Sequence, residues 1–223
     1  MNRIFVVGDI HGCYDTFKNL LFNILKVNTD DRIILLGDVI DRGPFIKETV
    51  ELILEMQKKH YDIVVIRGNH EQLLIDSINS PKSMYLWLKN GGETTLDSFC
   101  IINPGFLDEE IIRFFYSTKL YHFEEKYLCV HAGLNFEIEE PLKDINYMLY
   151  SRVSKVIPEK IGNRNLITGH TPKTLEEIKL SLKTNHIYLD GGCVYKNKVK
   201  GLGHLVALEL NSKELYYTEN IDL

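Results

Sequence analysis

Five short motifs carry most of the side chains that could do chemistry, and each follows an apolar run. In chain order they are GDIHG (8–12), GDVIDRGP (37–44), RGNHE (67–71), HAG (131–133) and GHT (169–171). Together they offer carboxylate, imidazole and amide donors beside arginine and glycine. A carboxylate at the end of a buried strand is costly unless a positive group neutralises it. The motifs therefore predict either structural salt bridges or a site that holds cations.

The mixture of oxygen and nitrogen donors favours a metal site. The candidate ligands are Asp9, His11, Asp38, Asn69, His131 and His170. This set suits Mn, Fe or Zn and lacks the all-oxygen character of a calcium site, and we expect Mn. Six ligands are too many for one catalytic ion that keeps open positions. We therefore expect two divalent ions, roughly 3.5–4 Å apart, with Asp38 from the central motif as the shared carboxylate. His186, in NHIYLD, is a rival to His170.

The motifs need a scaffold that brings distant chain positions together. The patterns of residues 3–7, 32–36 and 62–66 predict strands, and those of 15–27 and 46–59 predict helices. This alternation of strand and helix is typical of a largely parallel sheet with helices on its faces. Ligands of such sheets gather beyond the carboxyl ends of the strands. The first three motifs stand at those ends.

The rest of the chain has a different pattern. Residues 71–116 are predicted to be mostly helical, 121–130 to form a hairpin and 166–168 a short strand. Three further short strands are predicted to form a closing antiparallel group, at 187–189, 205–210 and 215–218. We expect an α/β fold with mixed sheets, in a single domain of residues 1–223.

Composition excludes several classes of protein. The chain has 223 residues, of which 44% are hydrophobic and 26% charged, as in an ordinary globular domain. A net charge of -5 gives no basic footprint for nucleic acid. No apolar run approaches the roughly 18 residues of a membrane span, and none has the form of a signal peptide. The four cysteines form no CxxC pair, so we expect free thiols and a cytoplasmic protein.

In this order, the five motifs resemble the signature of the calcineurin-like metallophosphoesterases. More narrowly, they resemble the phosphoprotein phosphatase family in its compact bacterial and phage branch, to which WLKNGGETTL (87–96) is also similar. The resemblance implies a central β-sandwich of mixed sheets, flanked by helices, with a dinuclear metal site. Asp9 and His11 would hold the first metal. Asn69, His131 and His170 would hold the second, and Asp38 would bridge the two.

The resemblance also implies hydrolysis of phosphate monoesters by in-line attack of a hydroxide that bridges the two metals. Phosphoryl oxygens need planar, bidentate donors, which arginine provides. Arg42, beside the metal loop, is the first choice, and Arg152, in LYSRVS, stands where the family has a second phosphate-binding arginine. Arg67 could clamp phosphate or merely pair with Glu71 or Asp41.

A leaving alkoxide needs a proton. His70, directly after Asn69, is the predicted general acid, and Asp41 is predicted to orient and polarise it. Trp87 is predicted to be a packing residue.

Three functions are compatible with these residues. The first is a serine/threonine protein phosphatase that acts on phosphoproteins or phosphopeptides. The second is a hydrolase of diadenosine tetraphosphate or related nucleotides, since that sister family shares the metal motifs. Its loop equivalent to Asp41–Arg42 tends to lose the aspartate, so the DRG of this chain favours the first function. The third is a non-catalytic binding domain, which should have lost a ligand or the acid, and none is missing.

Overall fold

The computed structural model of the chain describes residues 2–152 and 155–223. Within these ranges nine strands form two sheets. The strands are β1 (Ile4–Val7), β2 (Arg32–Leu35), β3 (Asp62–Val65), β4 (Tyr121–Glu124), β5 (Tyr127–Val130), β6 (Asn165–Thr168), β7 (His186–Tyr188), β8 (His204–Glu209) and β9 (Leu215–Glu219). The first sheet has the order β3-β2-β1-β8-β9, and the second has the order β4-β5-β6-β7.

Helices connect most of the strands. They are α1 (Tyr14–Asn19), α2 (Ile46–Lys58), α3 (Asn69–Ser77), α4 (Pro81–Trp87), α5 (Glu93–Phe99), α6 (Glu109–Ser117), α7 (Ile145–Tyr150) and α8 (Leu175–Ser181). Two π-helical segments, Leu20–Leu25 and Leu88–Gly92, continue α1 and α4. Among the described residues, none of the helices has both the length and the apolar character to cross a membrane.

The first half of the chain has the predicted parallel arrangement. β1 pairs in parallel with β2, and β2 with β3, so that Val7, Leu35 and Val65 lie side by side at their carboxyl ends. The predicted helices are present as α1 with its π-helical continuation and as α2, and α3 to α6 make the middle mostly helical. The predicted hairpin is the antiparallel pair β4 and β5. The single-domain organisation stays a prediction.

One strand lies in the wrong place in the sequence prediction. Residues 187–189 were expected in the closing antiparallel group, but β7 pairs in parallel with β6 in the second sheet, and Ile167 lies beside Ile187. The physical reason is α8, which the pattern did not reveal and which lies between β6 and β7. A helical crossover returns the chain in its original direction, so the second strand must pair in parallel. β8 is antiparallel to β1, and β9 is antiparallel to β8, so these two strands make up the predicted closing group.

The core confirms the predicted sandwich of two mixed sheets flanked by helices. Side chains alternate along a strand, so each sheet has two faces. Val6 and Ile34 of the first sheet pack against Ile167 of the second, in the layer between the sheets. Phe5 and Val7 point to the other face and belong to the core formed with the helices. The two layers bring the carboxyl ends of the parallel strands of both sheets to one edge of the molecule.

Candidate metal centre

The centre is built around one carboxylate oxygen. Oδ2 of Asp38 lies 3.6 Å from Nε2 of His11, 3.5 Å from Nε2 of His131 and 4.0 Å from Nε2 of His70. The donor atoms form two groups, and within each group all donor atoms lie within 4.8 Å of one another. The first cluster is His11, Asp38 and His70, and the second cluster is Asp38, His131 and His170. Asp38 belongs to both clusters, which is the geometry that a bridging ligand requires.

The second cluster contains the predicted amide as well. Nε2 of His131 lies 3.1 Å from Oδ1 of Asn69 and 3.1 Å from Nδ1 of His170. His186, the rival ligand, lies elsewhere, with its Nε2 2.9 Å from the hydroxyl of Thr168. The structure therefore places His170, and not His186, at the centre.

Backbone carbonyls orient two of the imidazoles. Nδ1 of His11 lies 2.8 Å from the carbonyl oxygen of Ile40, and Nδ1 of His131 lies 2.8 Å from that of Leu36. A carbonyl can only accept, so Nδ1 carries the hydrogen in both rings and the lone pair of Nε2 faces the cluster. Such a fixed tautomer is typical of histidines that bind metals.

Burial keeps these histidines neutral. It lowers the pKa of His11 to about 3, although Asp38 opposes the shift. Burial, together with the neighbouring His131, lowers the pKa of His170 to about 4. The pKa of His131 is also lowered by burial. A metal binds the neutral imidazole, so the rings are in the required protonation state near neutral pH.

Asp9 stands beside the two clusters and belongs to neither. Its carboxylate accepts the backbone N–H of His170, with an N–Oδ2 distance of 3.0 Å. Burial raises the pKa of Asp9 well above its usual value, and the nearby carboxylates of Asp190 and Asp38 raise it further. A cation would relieve this concentration of negative charge. The donor set, the neutral imidazoles and the shared carboxylate therefore fit two divalent cations.

The loops that carry the ligands have unusual backbone angles. Five site residues without the freedom of glycine have positive φ: His11 (49°), Asp38 (47°), Asp41 (69°), Arg42 (69°) and His170 (63°). Each such residue costs of order 1–3 kcal/mol, which the contacts of the surrounding structure must offset. Gly37 has φ of 97°, and a Cβ there would lie 2.5 Å from the backbone nitrogen of Gly68. The strand ends are therefore packed too closely for a side chain at this position.

His70 and Asp41 form a buried dyad. Nδ1 of His70 donates to Oδ2 of Asp41 at 2.6 Å, and both side chains are completely inaccessible to solvent. Burial opposes a charge on His70, but Asp38 and Asp41 outweigh it and raise its pKa. Its Nε2 has no hydrogen-bond partner among the described residues. The structure thus places the predicted acid and its predicted orienting group in contact.

Two further residues hold the dyad. The indole Nε1 of Trp87 donates to Oδ2 of Asp41 at 2.8 Å, and the hydroxyl of Thr95 donates to Oδ1 at 2.5 Å. Trp87 is buried, as a packing residue should be, but it also fixes the carboxylate that orients His70. The signal that could have identified both residues is the stretch 87–96, which runs from the last residue of α4 into α5.

Glu71 is a further residue whose role the sequence does not reveal. Its Oε2 accepts the backbone N–H groups of Asp38 and Gly68, each at 2.8 Å, and its Oε1 accepts that of Val39 at 2.8 Å. The carboxylate is fully buried. It therefore joins the loop after β2, which carries Asp38, to the loop after β3, which carries Asn69.

We expect Glu71→Gln to destabilise the protein and weaken metal binding. The amide turns an N–H2 group towards backbone N–H donors, so at least one buried donor loses its acceptor. The free energy of unfolding should fall by about 1–3 kcal/mol. Denaturant unfolding of the metal-free protein measures this directly, with Glu48→Gln, on the exposed side of α2, as the charge-matched control. Equal stability of the two variants would contradict the proposed clamp.

Arg42 reaches the first cluster. Its Nη1 donates to Nε2 of His11 at 2.9 Å, and its guanidinium carbon lies 5.8 Å from the ring centre of Tyr195. The backbone N–H of Arg42 donates to the carbonyl of Gly91. The guanidinium is therefore held at the edge of the metal centre, where a phosphoryl group would be bound.

Arg152 and Arg67, the other two arginines predicted to bind phosphate, have different surroundings. Arg152 is exposed and lies close enough to His170 to contribute to the lowering of its pKa. Arg67 is engaged elsewhere: its guanidinium donates to Thr118 and Gln72 and to the backbone carbonyls of 116 and 118. Its pairing with a carboxylate of the site is not formed in the described part of the chain. The structure thus favours a structural part for Arg67 over a phosphate clamp, because every nitrogen of its guanidinium already has an acceptor.

Known proteins are similar to this chain in sequence and in structure. The family model described as calcineurin-like phosphoesterase matches residues 2–205. Serine/threonine-protein phosphatase 1 of Salmonella typhimurium is 38% identical over 91 residues, which cover 41% of this chain and only 39% of that relative. The asymmetrical bis(5'-nucleosyl)-tetraphosphatase PrpE of Bacillus cereus is 25% identical over 225 residues, which cover 88% of each chain.

Solved structures share the fold along the whole chain. A protein serine/threonine phosphatase from Saccharomyces cerevisiae matches with a TM-score of 0.68 at 16% identity, covering 100% of this chain and 81% of that one. A putative diadenosine tetraphosphatase matches with a TM-score of 0.64 at 16% identity, covering 100% of this chain and 95% of that one. At this identity the likeness shows the architecture alone.

Proposed function

The chain belongs to the calcineurin-like phosphoesterase family, and we propose that within this family of hydrolases it is a metal-dependent serine/threonine protein phosphatase. The observation that carries the proposal is the dyad of His70 and Asp41, joined at 2.6 Å in a fully buried position. A serine or threonine leaves phosphorus as a strongly basic alkoxide, so an acid that is kept protonated accelerates its departure.

The residues of the centre would hold two divalent cations, with Mn favoured and Fe or Zn compatible with the same donors. Asp38 would bridge them, with Asp9 and His11 beside one and Asn69 and the second-cluster histidines beside the other. When bound, the pair would supply a water of lowered pKa and offset the charge of the phosphoryl oxygens.

The chain's own side chains would then bind the phosphoryl group. Arg42 gives up its bond to His11 and turns its planar donors to two phosphoryl oxygens. Arg152, exposed and near His170, closes on the same group from the side of the second sheet. Two guanidinium groups suit a terminal phosphoryl group, because a monoester presents more free oxygens than an internal phosphate.

His70 would transfer the proton to the leaving oxygen. Its Nδ1–H is bound to Asp41, so Nε2 is the nitrogen that donates into the site. Asp41 stabilises the imidazolium and fixes the ring, while Trp87 and Thr95 keep the carboxylate in place. The proton therefore comes from a group whose orientation and charge are both set by buried contacts.

A dinucleoside polyphosphate hydrolase is the second candidate. The relative named for that activity matches 88% of the chain, whereas the phosphatase relative matches 41% of it at higher identity. In such a substrate the leaving group is a phosphate anion, which needs little protonation, and the dyad would contribute less. A non-catalytic binding domain has the least support, because each predicted ligand is at the centre or beside it.

A substrate comparison tests the proposal. With Mn²⁺, we expect a higher kcat/KM for phosphoserine and phosphothreonine peptides than for diadenosine tetraphosphate. Asp41→Asn should reduce peptide hydrolysis by about 10- to 100-fold and dinucleotide hydrolysis far less, since only the alkoxide needs the acid. A wild-type preference of about tenfold or more for the dinucleotide, which is about 1.4 kcal/mol, would refute the substrate assignment. Equal losses in Asp41→Asn would refute the argument from the dyad.

A further inference from the structure

A groove of about 650 Å³ is lined by residues of α8 and of β7, the edge strand of the second sheet. Its lining includes Lys155, Lys173, Glu177, His186 and Tyr188. The volume is within the range of sites that bind small molecules or parts of a larger ligand. None of these residues takes part in the metal centre, so the groove has no function in the reaction described above.

The groove lies near the side of the metal centre that carries His170. Lys155 also lines a second hollow, of about 290 Å³, and Arg152 lies on the wall of that hollow. Arg152 is in turn close enough to His170 to affect its pKa. Tyr188 pairs with Thr168, two residues before His170, which is about 7 Å along a strand. Arg152, Lys155 and Lys173 therefore form a cationic row that leads from the centre into the groove.

Two carboxylates accompany the three cations of the row: Glu137 lines the hollow that Arg152 and Lys155 share, and Glu177 lines the groove. Within residues 2–152 and 155–223, no carboxylate lies within 4.0 Å of the side-chain nitrogens of Arg152 or Lys155. Lys173 has Glu177 at 3.7 Å, but the other oxygen of Glu177 accepts from the backbone and hydroxyl of Thr174. On a chain of net charge -5, this row is a local reversal of sign.

The aromatic residues of the groove do not offer an open platform for a nucleobase. The ring centre of Tyr188 lies 4.1 Å from that of His186, and Nζ of Lys173 lies 5.4 Å from it. A base could stack on Tyr188 only by displacing one of these contacts. The ammonium groups of Lys155 and Lys173 are the features that remain for a ligand, and they attract anionic groups.

We propose that the groove binds acidic side chains that flank the phosphorylated residue of a peptide substrate. The inference rests on the proposed protein phosphatase function and adds a substrate class to it. An extended peptide advances about 3.3 Å per residue. Acidic residues about two to four positions from the phosphoresidue then lie over Lys155 and Lys173 when the phosphoryl group is at the metal centre.

The experiment uses two phosphothreonine peptides that differ only in glutamate against glutamine at these flanking positions. In the Mn²⁺-loaded wild type, we expect kcat/KM to be about fivefold higher for the acidic peptide than for the glutamine peptide, through a lower KM. A difference of this size is what exposed charge pairs contribute. In the double variant Lys155→Gln/Lys173→Gln, the ratio should approach one. It should also fall in wild type at high ionic strength, where the charges are screened. Lys126→Gln, in the turn between β4 and β5, is the charge-matched control and should retain the preference.

The outcomes separate this inference from the proposed function. If neither phosphopeptide is hydrolysed while para-nitrophenyl phosphate is, the protein phosphatase assignment fails and the groove argument fails with it. If both peptides are hydrolysed equally well by wild type, only the groove argument is refuted. If the lysine double variant loses dinucleoside tetraphosphate hydrolysis and keeps the acidic-peptide preference, the row binds polyphosphate and the proposed peptide contact is wrong.

Discussion

Asp38→Asn should remove at least one of the two metals and almost all turnover. Oδ2 of Asp38 lies 3.5 to 4.0 Å from three imidazole Nε2 atoms, and Asp38 is the residue that the two clusters share. An amide in its place is neutral, and its N–H2 group would oppose a cation. We expect kcat/KM to fall by more than about 100-fold. This is at least as large as the loss of activity when a residue that hydrogen-bonds a metal ligand is replaced.

Elemental analysis of the purified variant measures its metal content directly, and this measurement does not depend on activity. Wild type should contain two equivalents of metal, a chelator should abolish its activity, and Mn²⁺ should restore it. Asp97→Asn, on the exposed side of α5, removes the same charge outside the centre and should behave as wild type. Two bound metals in Asp38→Asn, or full activity in chelated wild type, would contradict the dinuclear centre.

The sequence predicts those parts of the site that depend on the local pattern of residues. Asp9, His11 and Asp38 each follow a short β-rich run, and the alternation of strand and helix places the ends of such runs at one edge. No distance between motifs had to be known, because parallel pairing alone aligns Val7 with Leu35. The sequence therefore predicts that Asp9, His11 and Asp38 lie close together.

The parts that the sequence does not predict depend on contacts between distant segments. Glu71 and Trp87 are read as an ion-pair partner and a packing residue when only their neighbours are considered. Their hydrogen bonds to the loop of Asp38 and to Asp41 exist only once that loop and the helices have closed on each other. Strand β7 shows the same limit: its residues fit either sheet, and α8 decides which one it joins. Pairing partners are a property of the whole chain.

His70→Asn should lower kcat on a phosphoserine peptide by roughly 10²–10⁴-fold, with little change in KM. The loss should be much smaller on para-nitrophenyl phosphate, whose leaving group is stable without protonation. The pKa of His70 is raised, because Asp38 and Asp41 outweigh burial. A group that acts as an acid is active below its pKa, so the kcat of wild type on the peptide should fall as the pH rises through that raised value. In the variant, the kcat should not show this fall with rising pH.

The structure also allows a rival reading of His70, and the same variant distinguishes the two. Its Nε2 belongs to the first cluster, within 4.8 Å of the donor atoms of His11 and Asp38, so this nitrogen has the position of a ligand as well as that of an acid. A ligand would be deprotonated at Nε2 and could not donate a proton. If His70→Asn keeps two equivalents of metal and loses the peptide far more than para-nitrophenyl phosphate, Nε2 carries the proton. If it loses metal, and both substrates fall together, His70 holds the centre, and the alkoxide must take its proton from another source.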